Sequence, residues 1–553
     1  MNGPGAVPVR KKEDHAMNAR PLVVTLTVLL LLASGPVAAA PDGERLGRVH
    51  FPVSCAPTVQ GDFERAVALL HSFWYEEALK AFTAITTNDP GCAMGYWGIA
   101  MSVYYPLWAP PSPAMLQTGT AALAKTRGLT ATPREQDYIA AIETYYRDAD
   151  KLDHRSRAVA YEKAMGQLFA RYPDDREAAV FYALALNATA APTDKTYANQ
   201  LKAGAILEKV FAEQPAHPGV AHYIIHSYDY PPLAARGLTA ARGYAKTAPS
   251  VPHAQHMPAH IFTRLGLWQD SIDSNRASAN AGKAYYAKLG KDTVWDQTLH
   301  ALDYIVYAYL QTGQDRQART VLEELRAMPR AEPESFVAAY AYAAIPARVA
   351  LEQHHWGEAA ALSPASKVFP WDRFAWGEAI TAFARAVGAA RSGDAAKART
   401  EAQKLEGYRA TLIAANQTYW AEQVNIQQKA AAAWAARAEG KNDEALTLMR
   451  AAADLEEATE KHPVTPGPVL PARELLGDML LDLNHPEQAL VEFEGSAARE
   501  PNRFNSLFGA ARAAELSGNR DKARTLYTRL VTLCARADGE RPDLRHAKAA
   551  LAK

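Results

Sequence analysis

Between residues 217 and 303 the sequence carries histidines at a spacing that suits metal chemistry. The blocks HPGVAHYIIHSYDY, PHAQHMPAHIFTRLG and WDQTLHALDYIVYAYL hold His222, His226, His256, His260 and His300, with Asp303 three residues after the last. Residues four apart share one face of an α-helix, so His222 with His226 and His256 with His260 each project as a pair. The offset from 222 to 256 is 34 residues and that from 226 to 260 is 34 again, which puts the pairs at equivalent places in successive structural units. Imidazole nitrogen binds zinc, iron, copper or nickel, so the two pairs are expected to face one divalent transition-metal ion across neighbouring helices. His300 and Asp303 complete or orient the set. Asp229, Tyr228 and His253 lie near the pairs along the chain and are expected to hydrogen-bond the rings and fix their tautomers. Glu143, in DYIAAIETYY, is a carboxylate candidate for ligand or base, and Asp303 is the other candidate base for a hydrolytic or oxidative reaction at such an ion. A groove lined by His and Tyr suits an extended peptide or a small molecule without metal equally well.

A repeat is what would position these pairs. In LLGDMLLDLNHPEQALVEFEGSAAREP, Gly477, Ala489, Phe493 and Pro501 stand where a helix hairpin needs a small residue, an alanine, an aromatic and a stop. Ala523 and Tyr527 repeat Ala489 and Phe493 after 34 residues. This is the tetratricopeptide pattern, in which the small residue lets two antiparallel helices approach and the aromatic fills the space beside it. Further copies follow a polar or glycine turn, at Ala78 with Phe82 and Pro90, then at Ser271, Ala318, Ala359, Ala396 and Ala445. The expected fold is all-α, a right-handed superhelical solenoid of helix-turn-helix repeats whose first helices line a concave groove. It divides into an extended arm at 41–60, a solenoid at 61–460 with the His-rich groove at 217–303, a Pro-rich linker at 461–474 and C-terminal repeats at 475–553. The linker, KHPVTPGPVLPARE, is too rich in proline for a helix. It reads as a connector, the alternative being that it lies across the groove and presents His462. Trp108 is expected to close the base of the groove, and His71, in LLHSFWYEEA, to pack in the core.

Residues 1–40 read as a secretory signal peptide. Arg10, Lys11, Lys12 and Arg20 precede an apolar stretch from Leu22 to Ala33, and Ala38-Ala39-Ala40 supplies a small-residue cleavage site, with Met17 as an alternative start. The apolar stretch is shorter than the roughly 20 residues of a membrane span, so the mature protein is expected in the periplasm or outside the cell, with no stable membrane insertion. In an oxidising compartment Cys55 and Cys92 either bridge, pinning the arm to the first repeats, or remain two buried thiols; Cys534 reads as core. Lys plus Arg equal Asp plus Glu at 60 each. That balance gives no argument for nucleic acid or an anionic membrane as partner. The sequence has no H-E-x-x-H, C-x-x-C, G-x-S-x-G or G-x-x-x-x-G-K-[ST] motif, so zincin, serine-hydrolase and nucleotide-driven readings have no support.

The blocks LLHSFWYEEALKAF, DPGCAMGYWGIAMS, PHAQHMPAHIFTRLG and KHPVTPGPVLPARELLGD resemble those of exported bacterial tetratricopeptide-repeat proteins of poorly defined function. The paired-His layout is also similar to that of tetratricopeptide repeat 38-type proteins. The resemblance spans most of the chain after residue 40 and implies the solenoid fold and export, but no reaction. In that family a His often precedes the Pro-Leu-Trp segment; here the position is Tyr105, and no ligand role is carried over to it.

Overall fold

The computed structural model describes Met1 and residues 43–552, so the expected signal peptide lies outside the described residues apart from Met1. Arg45–Lys553 forms one compact unit and holds every helix among the described residues. The fold is an all-α solenoid of tetratricopeptide-like helix pairs; Gln60–His71 with Tyr75–Asn88, Asp296–Gln311 with Asp315–Arg326, and Phe504–Leu516 with Arg520–Leu533 are examples. Two-residue strands, Val294–Trp295 and Ala331–Glu332, pair in parallel and are the only strands among the described residues. No helix among them is long and apolar enough to cross a membrane.

The pairing follows from one position. In many of the second helices the fourth residue is small and buried: Ala78, Ser271, Ala318, Ala359, Ala445 and Ala489 are sealed from solvent, and Ala523 nearly so. In the Ala395–Ala414 helix that place belongs to Ala398, not Ala396. The helix starts at Ala395, so its fourth residue turns inward while Ala396 faces solvent. Phe493 shows what the small residues make room for, since a Cβ on Gly477 would come within 2.7 Å of its ring and one on Gly509 within 2.3 Å. The turn between paired helices passes through left-handed backbone, on glycine at Gly266, Gly313, Gly393, Gly440 and Gly518, on His354 and Asn484 in two further hairpins, and on Phe73 (φ 55°) in the first. Glycine adopts this conformation freely, whereas for Phe it is strained.

The N-terminal arm runs extended across the repeats. Arg48 N donates to Ala216 O (2.9 Å), Phe51 packs its ring between Phe63, Trp97 and Tyr138, and Ser54 N donates to Glu135 Oε1 (2.6 Å). Cys55 and Cys92 form a disulfide that anchors the arm. Closing a loop of 37 residues removes denatured-chain entropy equivalent to about 4 kcal/mol. Cys534 is a buried free thiol.

The Pro-rich segment does more than connect. Between Asn442–Ala458 and Ala472–Asp482 the chain is irregular and lies against first helices of the groove. Tyr304 Oη donates to Thr465 O (3.1 Å), Tyr340 Oη to Gly467 O (3.2 Å), and Arg348 to Gly467 O (2.8 Å) and Pro468 O (2.6 Å). His462 lies flat on Trp420, ring centroids 5.3 Å apart. One apolar core gathers side chains from the arm to Phe262 together with Tyr286, Trp295, Val337 and Val464, a second those between Trp268 and Ala513, and a third the last repeat around Phe504, Tyr527 and Leu544. The histidine helices stand at the boundary between the first two.

Candidate metal centre

Three successive first helices carry the histidines. Pro218–Tyr228 opens with Pro218 at its first position and is capped by His217, whose Nδ1 accepts the Val220 N–H (3.3 Å). The next first helix is interrupted, because Pro258 has no N–H to donate, into Pro252–His256 and Pro258–Arg264. His256 and His260 therefore sit on two consecutive short helices rather than one, yet their Nε2 atoms are 2.9 Å apart. Asp296–Gln311 follows and carries His300.

The geometry replaces the expected single site with two. One nitrogen from each of His222, His226 and His253 lies within 4.8 Å of the other two, and the same holds for His256, His260 and His300. Each pair thus takes its third imidazole from the next first helix. His253, expected to orient a ring, is the third member of the first cluster. The clusters adjoin: the rings of His226 and His260 are 5.6 Å apart, those of His253 and His256 5.7 Å. All six histidines are buried. Phe73 packs on His222 (4.4 Å), His226 and His253 (both 5.7 Å), while Trp108 packs on His253 (5.7 Å) and His300 (5.8 Å).

Hydrogen-bond accounting shows which nitrogens point inward. A neutral imidazole has one N–H and one lone pair. His222 Nδ1 donates to His71 O (2.6 Å), His253 Nδ1 to Gln297 Oε1 (3.2 Å), His256 Nδ1 to Asn275 Oδ1 (2.6 Å) and His260 Nδ1 to Asp229 Oδ2 (2.9 Å). Asn275 presents its oxygen because its Nδ2 donates to Ser271 O (2.8 Å). Each of these rings is left with a lone pair on Nε2. In the second cluster two such lone pairs, on His256 and His260, face each other at 2.9 Å; in the first, His222 Nε2 and His226 Nε2 are 3.2 Å apart. His253 Nε2 and His300 Nε2 are buried with no partner at all. Two nitrogens each 2.0–2.1 Å from one zinc ion at the tetrahedral angle would be about 3.3 Å apart, close to the observed separations. Burial, reinforced by the neighbouring histidines, holds the proton affinity of five of the rings well below the usual range, and burial lowers His260 as well despite Asp229 beside it. A cation other than a proton is what this arrangement suits.

A third cluster, His71, Glu177 and His217, provides the contrast. His71 Nε2 and His217 Nε2 each donate to a Glu177 oxygen (2.8 Å), His71 Nδ1 meets Tyr223 Oη (3.0 Å), and His217 Nδ1 is the helix cap. Burial alone would raise Glu177, but the two imidazoles hold it well below the carboxylate range. Every ring nitrogen has a partner here, so this cluster is a structural network, with His71 in the core as expected, and its carbonyl orients His222.

Asp229 is the main electrostatic element. It caps the Pro218–Tyr228 helix and accepts from His260, from Arg264 Nε (2.9 Å) and from Lys461 Nζ (2.7 Å). Its burial would raise its proton affinity; Lys461 and Arg264 reverse that and keep it ionised. Other expected residues stand apart. Tyr228 donates to Glu208 (2.7 Å) and reaches no histidine ring, because it lies two residues beyond His226 and so on another face of the helix. Asp303 is paired with Arg348 (3.2 Å) and belongs to neither cluster, which leaves His300 alone from that helix. Glu143, on Pro133–Tyr146, belongs to no cluster among the described residues. Tyr105 stacks on Tyr75 (4.1 Å). The sequence reading missed Asn275, Gln297, Arg264 and Lys461; only the last, beside His462 in the Pro-rich segment, had a signal.

No family model matches the chain, and no curated protein matches it. Solved structures of similar shape include a human IFIT1 dimer with m7Gppp-AAAA (12% identity, 80% of this chain and 90% of that one, TM-score 0.34) and a monomeric IFIT1 mutant with Gppp-AAAA (13%, 80% and 90%, TM-score 0.35). The APC/C hetero-tetramer Cut9-Hcn1 also matches, at 11% identity over 89% of each chain with a TM-score of 0.30.

Proposed function

We propose that this is an exported metal-binding protein whose groove holds two transition-metal ions, one in each three-histidine cluster. The observation that carries the reading is the 2.9 Å contact between His256 Nε2 and His260 Nε2, whose Nδ1 protons are both committed to other acceptors. Two lone pairs at that distance repel unless a cation lies between them. Imidazole-only ligation suits zinc, copper, nickel or iron, and suits magnesium or calcium poorly. His222, His226 and His253 would hold one ion, and His256, His260 and His300 the other. Export is supported by the basic, apolar and small-residue order of residues 1–40 and by the Cys55–Cys92 disulfide, since cytosolic thiols stay reduced. The likeness to exported bacterial tetratricopeptide-repeat proteins belongs to the same reading.

A metal-dependent enzyme is the second reading, favoured by three imidazoles per cluster instead of four. A bound ion with a fourth position open supplies a Lewis acid. Asp229 orients His260, and Phe73 and Trp108 exclude water from the rings. The metal-free peptide scaffold is disfavoured, because residues 461–470 already lie along the helices that a guest peptide would use.

Protein recovered without chelators from the periplasmic or extracellular fraction is expected to start beyond residue 40 and to contain about two equivalents of one transition metal by elemental analysis. His222→Ala and His256→Ala are each expected to lose about one equivalent while keeping the helical circular dichroism. Wild-type protein without metal above background sinks the reading.

A further inference from the structure

The two histidine clusters are in ring-to-ring contact. Across their boundary the rings of His226 and His260 lie 5.6 Å apart and those of His253 and His256 5.7 Å, while separations inside the second cluster run from 4.1 Å for His256 and His300 to 6.1 Å for His260 and His300. The six rings are thus one group. The short helix Pro252–His256 joins its halves, giving His253 to the first cluster and His256 to the second. Resting on the reading of two three-histidine metal sites, we infer that they form one binuclear copper centre that binds dioxygen between its ions.

Charge selects the metal. All six ligands are imidazoles, and neither cluster contains a carboxylate. The acids on the helices that carry the rings are committed elsewhere: Asp229 to Arg264 and Lys461, Asp303 to Arg348, and Asp296 to the Ser335 hydroxyl (2.7 Å). Two divalent ions would therefore add four positive charges to a buried pocket whose ligands bring no counter-charge, and desolvation opposes that. Of the metals that imidazole suits, copper is the one also stable as a monovalent ion, and two Cu(I) ions halve the charge.

Dioxygen keeps the balance. Each Cu(I) gives up one electron, the O–O double bond becomes a single bond, and the resulting peroxide dianion lies between two Cu(II) ions. The net charge of the centre is the same before and after, so the step needs no proton and no outside reductant. Two-metal sites hold their ions about 3.5–4 Å apart, a span that one diatomic dianion bridges. Phe73 covers the first cluster, and Tyr304 packs on His256 (4.8 Å), His260 (5.1 Å) and His300 (5.4 Å). These rings keep water from the dianion.

The test uses protein stripped of metal by chelator, titrated with Cu(I) in the absence of oxygen and then exposed to dioxygen. Two equivalents of copper are expected to bind. Oxygenation is expected to take up one dioxygen for every two coppers, to return it under vacuum, and to leave most of the Cu(II) silent in electron paramagnetic resonance because the paired spins cancel. His222→Ala and His300→Ala, each holding one copper, are expected to take up no dioxygen. Two bound coppers that oxidise with their full spin signal, release of hydrogen peroxide in place of returned dioxygen, or uptake by a one-copper variant overturns this inference and leaves the metal reading intact. Should the variants fail to fold, the spin count and oxygen stoichiometry of the wild type decide. Protein that binds zinc but no copper overturns this inference alone, whereas protein that binds neither removes both.

Discussion

A buried polar atom without a partner destabilises the fold unless something else occupies it, and some of those in this protein face the histidine clusters. His253 Nε2 and His300 Nε2 belong to those clusters, while Arg264 Nη2 and Gln427 Oε1 lie on residues that line a cleft with Trp376 and Trp420. The fully bonded His71, Glu177 and His217 network shows that the chain can satisfy buried imidazoles when their role is structural. Glu456 has a different solution. Burial raises it to about 8, and it accepts the Ala472 N–H (2.8 Å), as a neutral carboxyl can. A folded pKa above the unfolded value means that the native state binds more protons between the two, so this group's contribution is fully present below about pH 4.5 and is lost as pH rises through about 8. Glu456→Gln keeps the acceptor and removes the titration. The variant is expected to match wild type near pH 4.5 and to be more stable by about 4 kcal/mol near pH 8, read from urea midpoints. Equal stability at both pH values would show that Glu456 ionises freely.

At the scale of elements, the first hairpin places a bulky aromatic in its turn. That turn needs left-handed backbone, where five later repeats use glycine, and it has Phe73, whose ring covers the first histidine cluster. Left-handed backbone costs a non-glycine residue about 1–2 kcal/mol, whereas deleting a buried Phe ring costs about 3–5 kcal/mol. Phe73→Gly is therefore expected to destabilise by about 1–4 kcal/mol in chemical denaturation, despite relaxing the turn. A net gain would mean the ring contributes less than the strain. The same mixture of regular and irregular elements decided what could be read from sequence. Helix pairs were legible because Ala489 and Phe493 recur at a fixed period as Ala523 and Tyr527, and the His pairs were legible because they share that period. The third ligands were not, since His253 sits 31 residues after His222 and His300 sits 44 after His256, offsets set by a proline-broken helix and a long Trp268–Lys288 partner. Ala396 was misread for Ala398 because an alanine-rich helix start gives no phase. Asn275 and Gln297 act only through contacts that join separate helices, which no local pattern records.

Across the whole molecule, solenoid stability is a sum over neighbouring repeats, and such arrays ordinarily peel from their ends. The Cys55–Cys92 bridge holds the N-terminal end, and the Pro-rich segment ties residues 461–470 back to Asp229, Tyr304 and Arg348 in the middle of the array. The borrowing of one ligand from the following repeat has a mechanical consequence. Each filled cluster would act as a rivet through two adjacent layers, and the two rivets share the layer at 252–264, so residues 218–303 would resist tension as one stiff block inside a softer spring. Pulled between its ends in an optical trap, the metal-loaded protein is expected to extend first outside this block and to release it last in one high-force step. Chelator should abolish that step and leave gradual extension, while a step unaffected by chelator would place the stiffness in the packing alone.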